Sequence, residues 1–205
     1  MSLFNIFRGR PPIRDRHELA QFIDENSAFL VQKGMYEYSR ARAGHYAKVL
    51  FTEPEFQEAL ERSRWNAFPL GLAMVGELVE GVLRPLAGDA EGSQQLETLR
   101  ALVLSVFDRY QTPATLGEAS WSQLRADLAR RLQLIGLHPV KRSFDIAGPF
   151  ARAYFDLMPI HRKLRASEFP TLHSYLKVTL CNIHDELTKR LDAEAVADSL
   201  RTRVG

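Results

Sequence analysis

Residues 68–86 read FPLGLAMVGELVEGVLRPL, the most apolar run in the chain. Pro69 and Pro85 bound it, and Glu77 and Glu80 stand in its middle. A run this apolar has to leave water on folding, so it is expected to form the central helix of the core. At 100° per residue, Ala73, Glu77, Glu80 and Arg84 fall on one narrow stripe, and the remaining positions are almost all aliphatic. Glu80 and Arg84 are four residues apart with the acid first, the favourable order for an intrahelical ion pair. Glu77 has no such local partner. The stripe is expected to be the wet edge of a mostly buried helix. The alternative is that it lines a cleft, where burial would raise a carboxylate pKa toward use as a general acid or base. Glu77 and Glu80 are therefore the candidate catalytic residues, although no reaction is indicated and the reading leans to a protein that is not an enzyme.

Working outward from this run, helical signals fill both directions. Thr52-Glu-Pro-Glu55 has the spacing of a helix start with proline in the first turn, and its helix should reach about Asn66. Pro69 then either kinks that helix or begins the next one. Upstream, Asp15-Arg-His-Glu18 resembles a capping box, and Leu19, Phe22, Ile23, Asn26, Phe29 and Leu30 follow at helical spacing. An unbroken helix from there to Phe51 would be about 50 Å long at 1.5 Å per residue, so a break near Gly34 or Gly44 is expected. Downstream, Ser93 opens an amphipathic segment carrying Leu96, Leu99, Val103, Val106 and Tyr110. Ser120-Trp-Ser-Gln123 is a second capping box, followed by a helix that Gly136 and Pro139 close. Asp145 is placed as the cap of a helix from about Pro149 to Met158, with a short helix over 161–165 after it. Ser167-Glu-Phe-Pro170 starts the clearest long helix, with Leu172, Leu176, Leu180, Ile183, Leu187 and Leu191 on one side, and 193–200 is a short final one. No segment alternates with period two for long enough to be a strand. The expected fold is an all-α, single-domain bundle of about seven helices over residues 15–200. The linker near 111–120 offers a possible sub-boundary, and residues 1–14 form a leader or flexible tail.

Composition narrows the function classes. With 205 residues, 45% hydrophobic and 25% charged, the chain suits one substantial core and is not a disordered segment. Its net charge of +2 is too small to argue for nucleic acid. The charge is uneven: residues 1–119 carry 13 basic and 16 acidic side chains, and residues 120–205 carry 14 and 9. Cys181 is the only cysteine, which excludes an internal disulfide and fits a reducing compartment, so the cytoplasm is expected. No secretory signal pattern precedes Arg16, and Glu77, Glu80 and Arg84 interrupt the best candidate for a membrane span.

Two further groups carry possible chemistry. The segment from Tyr36 to Tyr46 packs three tyrosines, two arginines and His45 into eleven residues, and on a helix Tyr38, Arg42 and His45 share a side. Arginine supplies bidentate charge-assisted bonds and tyrosine supplies stacking and a donor, so Tyr36, Tyr38, Arg42, His45 and Tyr46 are the candidate binding residues. The same composition is enriched in protein interfaces. Cys181 and His184 are three apart on one helical face and could chelate a metal in principle. No Glu-x-x-His or second Cys/His pair supports them, so neither a metal nor a cofactor is expected. Nucleotide loops, the Gly-x-Ser-x-Gly elbow and Cys-x-x-Cys are also missing. The expected function is that of an interaction protein, of adaptor or assembly-factor type, binding a protein partner or itself. A small-molecule or enzymatic bundle with Glu77 and Glu80 in its pocket is the alternative. A peripheral membrane contact through the apolar and basic residues 3–10 is a third reading.

Overall fold

In the computed structural model, which describes residues 10–86, 92–159 and 165–201, the apolar run is the second half of a single 30-residue helix, Pro54–Leu83. The helices in order are α1 (Arg16–Gln32), a π-helical turn (Lys33–Glu37), the short α2 (Tyr38–Ala43) and α3 (Ala47–Leu50), and α4 (Pro54–Leu83). They continue with α5 (Gly92–Phe107), α6 (Glu118–Leu134), α7 (Gly148–Asp156), α8 (Arg165–Arg190) and α9 (Ala193–Arg201). Helix accounts for 81% of the described residues and no strand occurs among them, so the chain is an all-α bundle. Residues 1–9, which hold most of the proposed membrane-contacting leader, and most of the short helix expected over 161–165 lie outside the described residues.

The central helix neither breaks nor restarts at Pro69. Proline removes one backbone donor and crowds the preceding turn, yet α4 continues because every residue from Ala67 to Glu80 is buried by surrounding helices. Close approach is built into the sequence. A Cβ on Gly71 would stand 2.8 Å from Val31 Cγ2 and 3.1 Å from the Ser27 carbonyl, so the α1–α4 crossing there requires glycine. By length and composition Pro54–Leu86 would suffice to cross a membrane, but 83% of its most apolar window is buried inside the bundle. One cluster of buried side chains runs from Ile13 to Leu200, and it includes Phe107 and Trp121 on either side of the 108–117 linker, stacked with ring centroids 4.2 Å apart.

Several local expectations are met and several are displaced. Asp15 caps α1 by accepting from the Glu18 amide at 2.8 Å, and Glu18 in turn accepts from the Arg14 amide at 2.6 Å. The break after α1 takes two forms, the π turn at Lys33–Glu37 and Gly44 at φ +54°, which ends α2. Helix α6 begins earlier than its capping box, at Glu118 after an extended Gly117, with no side-chain cap. Glu53 replaces Thr52 as the residue before α4, and the Thr52 hydroxyl donates back to the Val49 carbonyl at 2.7 Å instead. Asp145 belongs to a 3-10 turn, and Ala147 precedes α7. At the other end, Ile13 is sewn beside the α8–α9 junction, donating to Arg190 O at 2.8 Å and accepting from Asp192 N at 2.9 Å.

Candidate functional site

The stripe on α4 is not wet. Glu77 and Glu80 are each 6% exposed, and both carboxylates are engaged by cations. Lys141 Nζ donates to Glu77 Oε1 at 2.7 Å, and His138 Nε2 stands 3.3 Å from the same oxygen. Arg84 grips Glu80 with Nε and Nη2 at 2.6 and 2.8 Å, the ion pair expected from spacing. Its Nη1 donates to the His138 carbonyl at 2.7 Å, and the Glu80 hydrogen bond pushes the guanidinium pKa up. A third cation, Arg100, spans the end of α6 by donating to the carbonyls of Leu132, Gln133 and Ile135. Residues 132–142 are thus pinned onto α4 and α5 by two buried carboxylates and three basic side chains. The cavity that reaches Glu80 measures about 20 Å³, room for one water and no substrate. Sequence reasoning found Glu80–Arg84 and missed His138 and Lys141. Gly136 and Pro139 marked that segment as loop, but nothing in it names a partner 64 residues away.

The residues grouped between Tyr36 and Tyr46 divide. Half-buried Tyr38 and Arg42, whose side chain stays 52% exposed, both donate to the carboxylate of Glu168 on α8, which is only 3% exposed. Burial first, then the Glu168 hydrogen bond and charge, push the Tyr38 hydroxyl pKa up. These two side chains therefore anchor the α2–α3 hairpin to the bundle. The 3-10 turn at Gly44–Tyr46 breaks the helical register that would have put His45 beside them, and His45 and Tyr46 lie at the exposed tip. Tyr46 is 79% exposed, and Val49 one turn further is also exposed. Tyr36 packs edge-on against Phe51, ring centroids 4.9 Å apart, which closes the base of the hairpin.

The turn leading into the hairpin has its own support. Tyr38 N–H reaches Lys33 O, a five-residue step that displaces the normal helical ladder. The Val31 carbonyl accepts from the Tyr154 hydroxyl at 3.1 Å, and the Leu30 carbonyl accepts from Tyr175 at 3.1 Å. Burial pushes Tyr175 up to about 12 and Tyr154 up as well. Gly34 permits the arrangement, since a Cβ there would lie 2.3 Å from Tyr154 Oη. π turns of this kind are frequent at functional sites.

Between this turn and the start of α4 runs an open groove of about 390 Å³. Met35 and Leu60 form its floor, Tyr36 and Phe51 one wall, and Gln32, Gln57, Glu61 and Arg64 its polar edge. Gln32 and Arg64 are shared with a smaller neighbouring cavity of about 70 Å³ that reaches Trp65, Phe68 and Tyr110. Arg64 lies over the Trp65 ring at 4.6 Å and approaches Glu61 only to 3.9 Å. The groove has the size and apolar floor of a recognition pocket.

Cys181 and His184 are not brought together with other ligands. The Cys181 sulfur accepts from Ser143 Oγ at 3.5 Å, and His184 Nδ1 is 3.7 Å from Asp185. Among the described residues no group of three His, Cys, Asp or Glu side chains is placed to hold a metal ion. No protein-family model, curated protein or solved structure matches this chain.

Proposed function

We propose that this chain is a cytoplasmic, non-enzymatic interaction protein whose docking element is the Tyr36–Phe51 hairpin, and that its partner is a protein presenting an acidic, partly apolar face. One observation carries the reading. From Tyr38 to Thr52 the chain has no carboxylate, and it exposes Arg40, His45 and Lys48 around Tyr46 and Val49, beside the 390 Å³ groove. Aromatic and arginine side chains are the commonest anchors of protein interfaces, and the basic side chains at the hairpin tip would steer and orient an oppositely charged partner. The Glu168 anchor supports the same reading, because a docking element held in place before binding loses little entropy on association.

The test replaces Tyr46, or Val178 as an exposed control on α8, by a photo-crosslinking amino acid in the full chain expressed in its own cell. A discrete adduct at position 46, identified by mass spectrometry as a protein with an acidic surface and not formed at position 178, is the expected result. Adducts of equal yield at both positions, or an adduct to nucleic acid, would overturn the reading.

A further inference from the structure

The groove at the base of the hairpin has an aromatic wall and an unused polar edge. Tyr36 belongs to the π turn, Phe51 follows α3, and Phe56 on α4 continues the wall with its ring centroid 5.1 Å from that of Phe51. Tyr36 is 40% exposed although it packs on Phe51, so one side of the wall is open. An apolar cavity of about 150 Å³ accepts benzene. The groove, at about 390 Å³, therefore has room for an aromatic ring, and the neighbouring cavity of about 70 Å³ does not. Gln32 and Arg64 line both spaces, so they stand where the two meet. The Gln32 side-chain amide makes no hydrogen bond among the described residues. Arg64 lies over Trp65 and approaches Glu61 only to 3.9 Å, beyond hydrogen-bond range, so its donors have no acceptor there either. Gln57 is the contrast, because its amide nitrogen already donates to the Phe51 carbonyl at 2.6 Å. An amide with a donor and an acceptor, next to a guanidinium, matches the carbonyl and N–H of a peptide group. With Glu61 beside Arg64 the edge has no net charge, so it selects hydrogen-bonding groups and not an anion.

We propose that this groove is the anchor site of the docking element. It takes one aromatic side chain of the protein partner, and Gln32 and Arg64 hold the partner's main chain beside that ring. The choice of a protein segment as occupant rests on the hairpin reading, whereas the ring and its hydrogen-bonding flanks rest on the groove alone. A single aromatic side chain in a pocket carries much of the binding energy of many interfaces. Two features join the groove to the tip. The groove is walled by the two roots of the hairpin, Tyr36 and Phe51, and the six residues of α2 span only about 9 Å, so chain about three or four residues from the anchored ring reaches the tip. There Arg40 and Lys48 have no ion pair among the described residues, and carboxylates on that chain meet them. The recognised segment is thus an aromatic residue with Asp or Glu a few positions away.

Chemical-shift titration of the isotope-labelled full-length chain tests this with two probes. N-acetyltryptophanamide carries the ring and a peptide group on each side of it, and no charge. It should give saturable shifts at the Gln32 side-chain amide and at Met35, Tyr36, Phe51 and Leu60, with a dissociation constant of about a millimolar or tighter. N-acetylalaninamide should give none. Gln32→Trp puts a ring at the groove edge without removing a hydrogen bond of the protein and should weaken the binding about tenfold. Arg64→Gln should weaken it about threefold, as for one lost hydrogen bond. Unchanged circular dichroism will show that both variants fold. Arg40→Glu/Lys48→Glu should leave this uncharged probe unaffected. The second probe, acetyl-Glu-Asp-Gly-Gly-Trp-Gly-Gly-Asp-Glu amide, should bind about tenfold more tightly than the first and lose that gain in Arg40→Glu/Lys48→Glu. Shifts that do not saturate, that fall outside the groove, or that Gln32→Trp leaves unchanged would overturn the anchor site whatever the tip does. Saturable binding in the groove with no gain from the carboxylates would overturn the acidic part of the segment, and with it the hairpin reading.

Discussion

Lys141→Met and Glu77→Gln break the same ion pair from opposite sides, and the structure predicts unequal losses. Lys141→Met leaves a carboxylate that is 6% exposed, with the His138 ring 3.3 Å away and the Arg84 charge still acting on it. Breaking a buried pair in this way costs about 3–5 kcal/mol, and His138 holds the loss near the lower end, about 3 kcal/mol. Glu77→Gln leaves Lys141 behind, whose side chain is already 28% exposed and whose flexible stem lets the ammonium move out to water. The cost then falls to about 1–1.5 kcal/mol, that of one charge-assisted hydrogen bond partly replaced by the amide. With about 2–4 °C of melting temperature per kcal/mol for a chain of this length, the expected shifts are about 6–12 °C and about 2–6 °C. Glu77→Leu/Lys141→Met, which removes both charges, should fall within about 1 kcal/mol of the wild type. Urea unfolding followed by far-UV circular dichroism gives the three free energies, and hydrogen exchange at residues 137–141 reports whether the loop has come loose. Equal losses, or a larger loss for Glu77→Gln, would refute the view that Glu77 is a buried anchor whose partner can escape to solvent.

Three other outcomes follow from the same physics. Glu168→Gln should cost about 2–3 kcal/mol, because Tyr38 and Arg42 lose a charged acceptor that is buried, and exchange protection should fall first in residues 38–50. Gly34→Ala should destabilise the wild type by more than about 2 kcal/mol and do less harm in a Tyr154→Phe background, because the clash is with the Tyr154 hydroxyl; a double-mutant cycle measures that difference. Stability should decline as pH rises above 10. Burial raises the pKa of Tyr154, and of Tyr175 to about 12, so the unfolded chain releases these protons first and ionisation favours unfolding through the window from 10 to 12; pH-dependent urea midpoints without that decline would contradict the burial of both hydroxyls.

The features legible in the sequence are those whose cause lies within a turn or two of helix. Apolar period gave α4 and α8, an Asp and a Glu three apart gave the start of α1, and acid-first spacing gave Glu80–Arg84. Pro69 left open whether one helix continues or a second begins, and the packing on all sides of α4 that carries a single helix through it is contained in no window of sequence. The polar residues were harder for the same reason. Glu77 was read as unpartnered and partly wet because Lys141 reaches it across 64 residues, and Tyr38 and Arg42 were read as ligand-binding because their acceptor, Glu168, is more than 120 residues away. Glu168 itself carries the local signature of a helix start, which gave no sign of a second use. What remained visible was the exposed part of the segment, His45, Tyr46 and their basic neighbours, since side chains without a tertiary partner keep the character that the sequence shows.

The account rests most on the hairpin as a docking element for acidic protein surfaces. Its most direct test is the dissociation constant of a peptide selected from a random library on the immobilised full-length chain, measured again with Arg40→Glu/Lys48→Glu and with Tyr46→Ser. The account predicts selected peptides that combine an aromatic residue with Asp or Glu, a loss of affinity of tenfold or more in either variant, and weaker binding at high salt. Peptides without acidic residues, or affinities that stay the same in both variants, would contradict it.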